Sequence, residues 1–467
     1  MTTYDRSWTP SDDTAFLGHP RGLGWLSFTE VWERFSYYGM QALLVLYMTH
    51  RLLLPGHVEH VLGFGAFRAA IESVYGHLSP QALGSAIFGL YAGFVWMTPI
   101  LGGIVADRLT GRTSAIMAGG LLMAPGHFLM AFEQSFLIAL LCLLIGVGLF
   151  KGNLASQVGS LYAPGDPRAA SAFQIYYLGI QVAVIVTPLV CGTLGEVYGW
   201  HWGFGAAGVG MIVGMAIYLH GRRWLPPEPP LGKRAAPVAR IALTAAELRR
   251  VLVLVALLPV LAVATLASNQ VANAYVVWAE ANLQLELFGL HVPVTWLQSL
   301  DAIFSFSMIM LSLLFWRWWG ARRTEPDEIT KITIGTIIMV LAPLSLAAAA
   351  YAVAATGHRA GLGWAVLMEA FTNIGWANVG PVGLSLYSRS APRPVAATVI
   401  GVFYLHVFLS NMLVGWTGGF LDRMSGVDFW LLQAAMTAAA AALLLLARGP
   451  VGRALAPAVA QPASGPV

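Results

Sequence analysis

Charge is the scarcest thing in this chain. Of its 467 residues only 10% are Asp, Glu, Lys or Arg, against 57% hydrophobic, and the mean hydropathy is +0.69. A soluble domain carries about 25% charged residues, so there is too little charge here to cover a water-facing surface. Cysteine is nearly absent as well. The two present, Cys142 and Cys191, both fall in apolar runs, which argues against a disulfide framework. The opening MTTYDRSWTPSDDT is polar and has no signal-peptide pattern. There is no P-loop, zinc-ligand spacing or nucleophile elbow, so the chain does not read as an enzyme, and neither a cofactor nor a metal is expected.

What the sequence has in abundance is apolar runs of roughly 20 residues, each long enough to cross a bilayer. The fold class read from them is an all-α polytopic membrane protein with about twelve spans, near 23–49, 81–104, 114–133, 135–160, 169–195, 200–224, 250–279, 293–316, 329–355, 362–387, 394–418 and 428–447. The net charge of +4 and a pI of about 9.1 do not call for nucleic acid. The positive residues sit in short loops on one side: Arg108 and Arg112; Arg222, Arg223, Lys233, Arg234 and Arg240; Arg317, Arg322 and Arg323; Arg389 and Arg393; Arg448 and Arg453. That bias places both termini in the cytoplasm of a plasma (inner) membrane protein.

One connection has the character of a soluble linker, PPEPPLGKRAAPVAR at 226–240. It divides the chain into a six-span bundle at 1–224, a cytoplasmic linker at 225–249, a second six-span bundle at 250–447 and a disordered tail at 448–467. Six plus six spans with a basic central loop suggest the two halves of a major-facilitator fold. Residues 53–79 are too interrupted to span and read as an external loop with one amphipathic helix. Glycine spacings such as Gly203 to Gly210 read as close helix packing.

The stretch FTEVWERFSYYGMQALL at 28–44 places Glu30, Glu33 and Arg34 three and four residues apart, on one helical face. A charge at the bilayer centre costs several kcal/mol and is tolerated mainly in a bundle interior or wet cavity. Two readings follow: an ion cluster that holds helices together, or a proton relay whose carboxylate changes protonation as its partner moves. His127 and His406 also lie in spans, where a lone histidine is more often packed and hydrogen-bonded than a proton carrier. GGIVADRLTGRT, joining the second and third spans, resembles the cytoplasmic loop of the major facilitator superfamily, in which Asp107 and Arg108 or Arg112 would brace neighbouring helix ends.

E-x-x-E-R-F-x-Y-Y-G at Glu30, Glu33, Arg34, Phe35, Tyr37, Tyr38 and Gly39 resembles the hallmark of the proton-dependent oligopeptide transporter family. GGIVADRLTGRTSAIMAGGLLMAPG is similar to that family's first signature, with Thr110 where an apolar residue is usual. FKGNLASQVGSLY, TWLQSLDAIF and GPVGLSLYSRSAP also match its pattern, so the resemblance covers spans 1 to 11. It implies proton-driven import of di- and tripeptides by alternating access. Glu30, Glu33 and Arg34 would couple the proton, Tyr37 and Tyr38 would line the pocket, and Lys151 would meet the peptide carboxylate.

The departures from the family pattern are Gln41 for an arginine, Gln181 for an asparagine, Asn269 for an acidic residue, Asp301 for an asparagine, and Trp376 for the glutamate that would pair with the peptide amine or with Lys151. Together they remove one cation and two anions from the cavity and add one anion. An unpaired buried charge costs several kcal/mol, so the amine needs another partner. Asp301 is one candidate. Glu369 is a further one, two turns from Trp376 (about 10 Å) on the same helical face, although it could instead lie near the external mouth. Trp376 either fills the volume of a missing ion pair or offers a flat wall to an aromatic or cationic substrate.

The leading expectation is a proton-coupled symporter of peptides or peptide-like small molecules, with protons and the bilayer as its other partners. The alternative keeps the scaffold and coupling but carries an organic anion, amino-acid conjugate or natural product. A third reading is a non-transporting sensor.

Overall fold

The structure, a computed structural model, describes residues 13–163, 166–228, 243–392 and 395–455. Every expected span is helical. In the first half these helices are α1 (Arg21–Tyr47), α3 (Pro80–Val105), α4 (Arg112–Leu129), α5 (Phe136–Ser160), α6 (Arg168–Thr187) and α7 (Trp200–Gly221), with the short α2 (Phe64–Tyr75) in the interrupted 53–79 segment. The second half holds α8 (Ala245–Ala264), α9 (Leu266–Asn269), α10 (Ala274–Asn282), α11 (Trp296–Gly320), α12 (Glu328–Met339), α13 (Leu341–Thr356), α14 (Gly363–Ser390), α15 (Ala396–Phe403), α16 (Leu405–Gly418) and α17 (Gly426–Leu455). A two-stranded antiparallel hairpin, β1 (Glu286–Leu287) and β2 (Leu290–His291), links α10 to α11.

Among the described residues, eight helical stretches are long and apolar enough to cross a bilayer, nine if the bent pair α8 and α9 counts as one. α1 is long enough, at 27 residues or about 40 Å. Its middle, however, carries Glu30, Glu33 and Arg34, so hydropathy alone undervalues it.

Three of the expected spans are not single helices. The seventh bends by 54° between α8 and α9 and breaks again at Asn273, whose ψ of −107° leaves the helical region. The amide side chains make up for backbone bonds lost there. Asn269 donates to Ser410 Oγ at 2.8 Å, Gln270 to Thr417 Oγ1 at 3.0 Å, and Asn273 to the Val414 carbonyl at 3.3 Å. The ninth run breaks at Val340 and the eleventh at Tyr404. At the C-terminal side α17 continues to Leu455, so 448–455 is helix rather than disordered tail. Likewise 245–249, assigned to the linker, begins α8. Hydropathy locates an apolar stretch, whereas helical hydrogen bonding can run on into water. Residues 456–467, and Lys233, Arg234, Arg240 and Arg393 of the charge-bias argument, lie outside the described residues.

Several helix starts are written locally. Thr244 and Glu247 form a capping box at α8, Asp327 accepts from the Thr330 N–H at 3.0 Å to open α12, and Ser79 accepts from the Ala82 N–H at 3.1 Å to open α3. Two others take a carboxylate from elsewhere in the chain. Glu228, just after α7, accepts from the N–H groups of Arg112 (3.1 Å) and Thr113 (2.6 Å) and from the Thr113 hydroxyl (2.7 Å) at the start of α4. Glu196 accepts from the N–H groups of Val294 and Thr295, both at 2.9 Å, at the start of α11. A carboxylate on the free N–H groups of a helix start also meets the positive end of the helix dipole. Glu228→Ala should therefore cost about 1 kcal/mol, read as a lower melting temperature of the purified protein. Equal melting of variant and parent would reject the cap.

Within the first half α1 packs on α6 and α7, and α4 on α5; within the second, α14 packs on α11 and α12, and α17 on α8, α12 and α13. The close packing expected of α7 is present: a Cβ on Gly210 would stand 2.6 Å from the Phe35 ring of α1. The halves meet mainly along α3 with α16 and α6 with α11. At Gly89 on α3 a Cβ would lie 2.5 Å from the Asn411 carbonyl and from the Gly415 Cα of α16. Only glycine permits that approach.

Candidate functional site

α1 turns its charges inward. Glu30, Glu33 and Arg34 are 2%, 0% and 2% exposed, so they face neither lipid nor bulk water. Arg34 Nε lies 2.8 Å from Glu30 Oε1 and 2.7 Å from Glu33 Oε2, so one guanidinium answers two carboxylates. The guanidinium also sits 5.6 Å from the centre of the Tyr37 ring, which packs edge-on against Tyr38. Tyr176 of α6 and Lys151 of α5 lie within electrostatic reach of both glutamates and of Arg34. Glu30 Oε2, Glu33 Oε1 and Arg34 Nη2 have no protein hydrogen-bond partner among the described residues. A buried polar atom left unpaired costs about 1–3 kcal/mol.

Lys151 forms no ion pair within 4 Å among the described residues. Its Nζ stands 3.9 Å above the Trp96 ring of α3, and Trp96 in turn stacks on Tyr404, between α15 and α16, with centroids 5.7 Å apart and planes at 11°. A lysine from the first half thus reaches the second through two rings. The sequence reading missed Trp96, Tyr404 and Tyr176. The double tyrosine at Tyr176–Tyr177 on a span was a usable signal, whereas nothing in the sequence sets Trp96 apart from the other tryptophans.

The departures from the family pattern fall into three groups. Gln41 and Gln181 are half-buried, and Gln41 Oε1 has no partner among the described residues. Asn269 belongs to the amide network at the break of the seventh run. Trp376 is half-buried and lies back along its own helix, where a Cβ on Gly380 would meet the indole at 2.8 Å. That placement fits the packing reading.

Asp301 and Glu369 are not separate. Glu369 is fully buried and Asp301 half-buried. The Asn373 amide donates to Asp301 Oδ1 at 2.9 Å and lies 3.3 Å from Glu369 Oε2. Glu369 is buried where α11 and α14 pack on one another, six residues into α14.

The two histidines are also placed. His127 is fully buried, with neither ring nitrogen partnered among the described residues, while His406 bonds the Phe403 carbonyl. Of the loop residues, Arg112 lies 3.8 Å from Asp107, and the stronger brace on that helix start comes from Glu228.

Contacts between the halves are uneven along the bundle. Where α1 ends, His50 pairs with Glu280 at 3.1 Å, Glu196 caps α11, and Trp296 donates to Thr193 at 2.8 Å. There also Ser299 donates to the Ile185 carbonyl at 2.7 Å, Ser79 bonds Asp422, and Arg423 donates to the His77 carbonyl at 2.9 Å. No hydrogen bond or ion pair between the halves is found among the described residues at the opposite end, where α3 leads into α4. Among the described residues, the polar contacts between the halves lie at the end where α1 finishes.

A model of the POT family matches residues 113–265 and 242–431. The chain is similar to the uncharacterized transporter YclF of Bacillus subtilis, at 30% identity, with 88% of this chain and 89% of that protein covered. It is similar to the peptide transporter YePEPT of Yersinia enterocolitica, at 28% identity with 94% and 96% covered, and to a di-/tripeptide transporter of Lactococcus lactis subsp. cremoris, at 28% with 94% and 97% covered. Among solved structures, that of a mutant peptide transporter POT in complex with alafosfalin superposes with a TM-score of 0.80 at 26% identity, over 96% of this chain and 99% of that one.

Proposed function

Because the chain belongs to the POT family of transporters, we propose that it is a proton-coupled symporter that carries di- and tripeptides inward, across the plasma (inner) membrane, by alternating access between residues 1–224 and 250–447, with both termini cytoplasmic. The observation that carries this reading is the group Glu30–Glu33–Arg34 with Lys151 beside it. With both carboxylates ionised and both cations charged, the group is neutral. A proton on Glu33 leaves one positive charge in a low-dielectric interior, and that excess attracts the carboxylate of an entering peptide. Since coupling is reciprocal, a bound peptide carboxylate in turn favours the proton on Glu33.

In this reading Arg34, Tyr37, Tyr38 and Gln41 line the peptide pocket with Lys151, Gln181, Asn269 and Trp376, and Asp301 with Glu369 forms its acidic end. The peptide transporters among the relatives favour peptides over the organic-anion alternative. Alternating access is supported by the polar contacts between the halves, which among the described residues lie at the end where α1 finishes. Proteoliposomes containing the protein should accumulate labelled dialanine when an inside-alkaline pH gradient is imposed, and a protonophore should abolish the accumulation. Uptake indifferent to the gradient would refute proton coupling.

A further inference from the structure

We propose that Asp301 and Glu369 form a second proton-binding site, in which the two carboxyl groups share one proton and exchange it for the ammonium group of the cargo. The exchange half of this rests on the peptide reading above; the shared proton does not.

The site is built from two helices. Asp301 comes from α11, Glu369 and Asn373 from α14, and the Asn373 amide reaches both carboxyls. Asn373 Nδ2 is 2.9 Å from Asp301 Oδ1 and 3.3 Å from Glu369 Oε2, so the two carboxyls converge on one neutral donor that cancels the charge of neither. No Lys, Arg or His among the described residues lies within ion-pair distance of either. The other titratable group facing both is Tyr275 of α10, fully buried, with a hydroxyl that has no hydrogen-bond partner among the described residues. Glu369 Oε1 is likewise buried and unpartnered. Two ionised carboxylates in contact, enclosed and without a cation, repel too strongly to coexist. The pair therefore holds one monovalent cation.

In the empty carrier that cation is a proton. The half-buried Asp301 is the exposed member of the pair and the one a cargo can reach. A peptide ammonium at Asp301 supplies the positive charge, the shared O–H bond breaks, and the proton leaves to water. The pair ends with two carboxylates facing one ammonium, so charge balances at each stage: one negative charge over pair plus cation, before and after. Glu30 and Glu33 are bound to Arg34 in the other half and are not part of this exchange.

Two measurements on the full-length protein test the proposal. The first needs no cargo. The shared proton stabilises the folded carrier at low pH, and that stability is lost as the pH rises and the proton leaves. Between about pH 6 and about pH 10, wild type should lose about 3 °C more in melting temperature than the double variant Asp301→Asn, Glu369→Gln, in which neither side chain can ionise; the single variants Glu369→Gln and Asp301→Asn, each left with one acid freed from its like-charged neighbour, should lie between. All of these proteins keep Glu30, Glu33 and Arg34, so the difference belongs to the pair. Parallel curves for wild type and the double variant would overturn the shared proton.

The second compares dialanine with N-acetyl-dialanine, which keeps the carboxylate and lacks the ammonium. In weakly buffered solution with a pH indicator, dialanine should release about one proton per carrier more than its acetylated analogue. In either variant that difference should vanish and dialanine should bind about tenfold more weakly, with the acetylated compound unaffected. Equal release by the two compounds in wild type would overturn the exchange. Should neither compound bind wild type, the peptide reading fails, and the melting comparison still decides whether the pair holds a proton.

Discussion

Glu33→Gln abolishes proton-driven accumulation of peptide and leaves counterflow exchange of labelled for unlabelled peptide largely intact. Glu33 is completely buried, is 2.7 Å from Arg34 Nε and has an unpartnered oxygen. A glutamine has the shape and neutrality of the protonated acid, so it holds the cluster in its loaded charge state: Arg34 and Lys151 opposed by Glu30 alone. Peptide can still bind and the carrier can still rock, but no proton need be released for the unloaded carrier to return, and so no gradient drives the cycle. Efflux and counterflow in proteoliposomes separate these steps. If both fall together, the glutamate is holding α1 in place instead. Breaking a buried ion pair by removing one partner costs about 3–5 kcal/mol, and a drop in melting temperature would accompany that outcome.

Lys151→Ala should weaken dialanine binding by about 10- to 100-fold and leave an amidated dipeptide, which has no carboxylate, nearly unaffected. The magnitude follows from a competition. In the structure the ammonium rests on Trp96, a contact worth about 0.5–2 kcal/mol. A hydrogen bond to a charged group contributes about 1.5–3 kcal/mol, so an arriving carboxylate can draw the lysine off the ring, or share it. Thermal-shift titration with the two compounds measures the difference, and equal weakening of both would exclude contact between Lys151 and the carboxyl terminus. The same competition changes the contact between the halves. Once Lys151 turns to a carboxylate, the path from α5 through Trp96 to Tyr404 loses its cation, and the link between the halves at that level loosens as cargo binds. Where a glutamate would pair with the lysine, this chain has Trp376, which packs along its own helix over Gly380.

The unequal legibility of the site has a physical cause. Glu30, Glu33 and Arg34 could be found in the sequence because helical spacing puts them on one face and the bilayer penalises any other location. Trp96 could not, since its role comes from helices far apart in sequence, and the double tyrosine at Tyr176–Tyr177 marks a pair without telling which ring meets Glu30 and which meets lipid. Asp301 and Glu369 were visible as anomalies, each a carboxyl in an apolar run. That they are one group and not two depends on α11 lying against α14 with Asn373 between them. Glu228 and Glu196 show the same limit in the loops: each caps a helix that begins about a hundred residues away.

The sequence by itself determined that this protein lives in a bilayer, how many apolar runs it offers, and that α1 must hide its charges, because hydrophobic length and the cost of burying charge depend on the neighbouring residues alone. Only the tertiary structure decided which charges meet, which helices break and at which end the polar contacts between the halves lie. Those outcomes depend on contacts between segments that the chain brings together only by folding: an amide network across a break at Asn273, two acids facing each other from different helices, and a lysine that rests on the Trp96 ring.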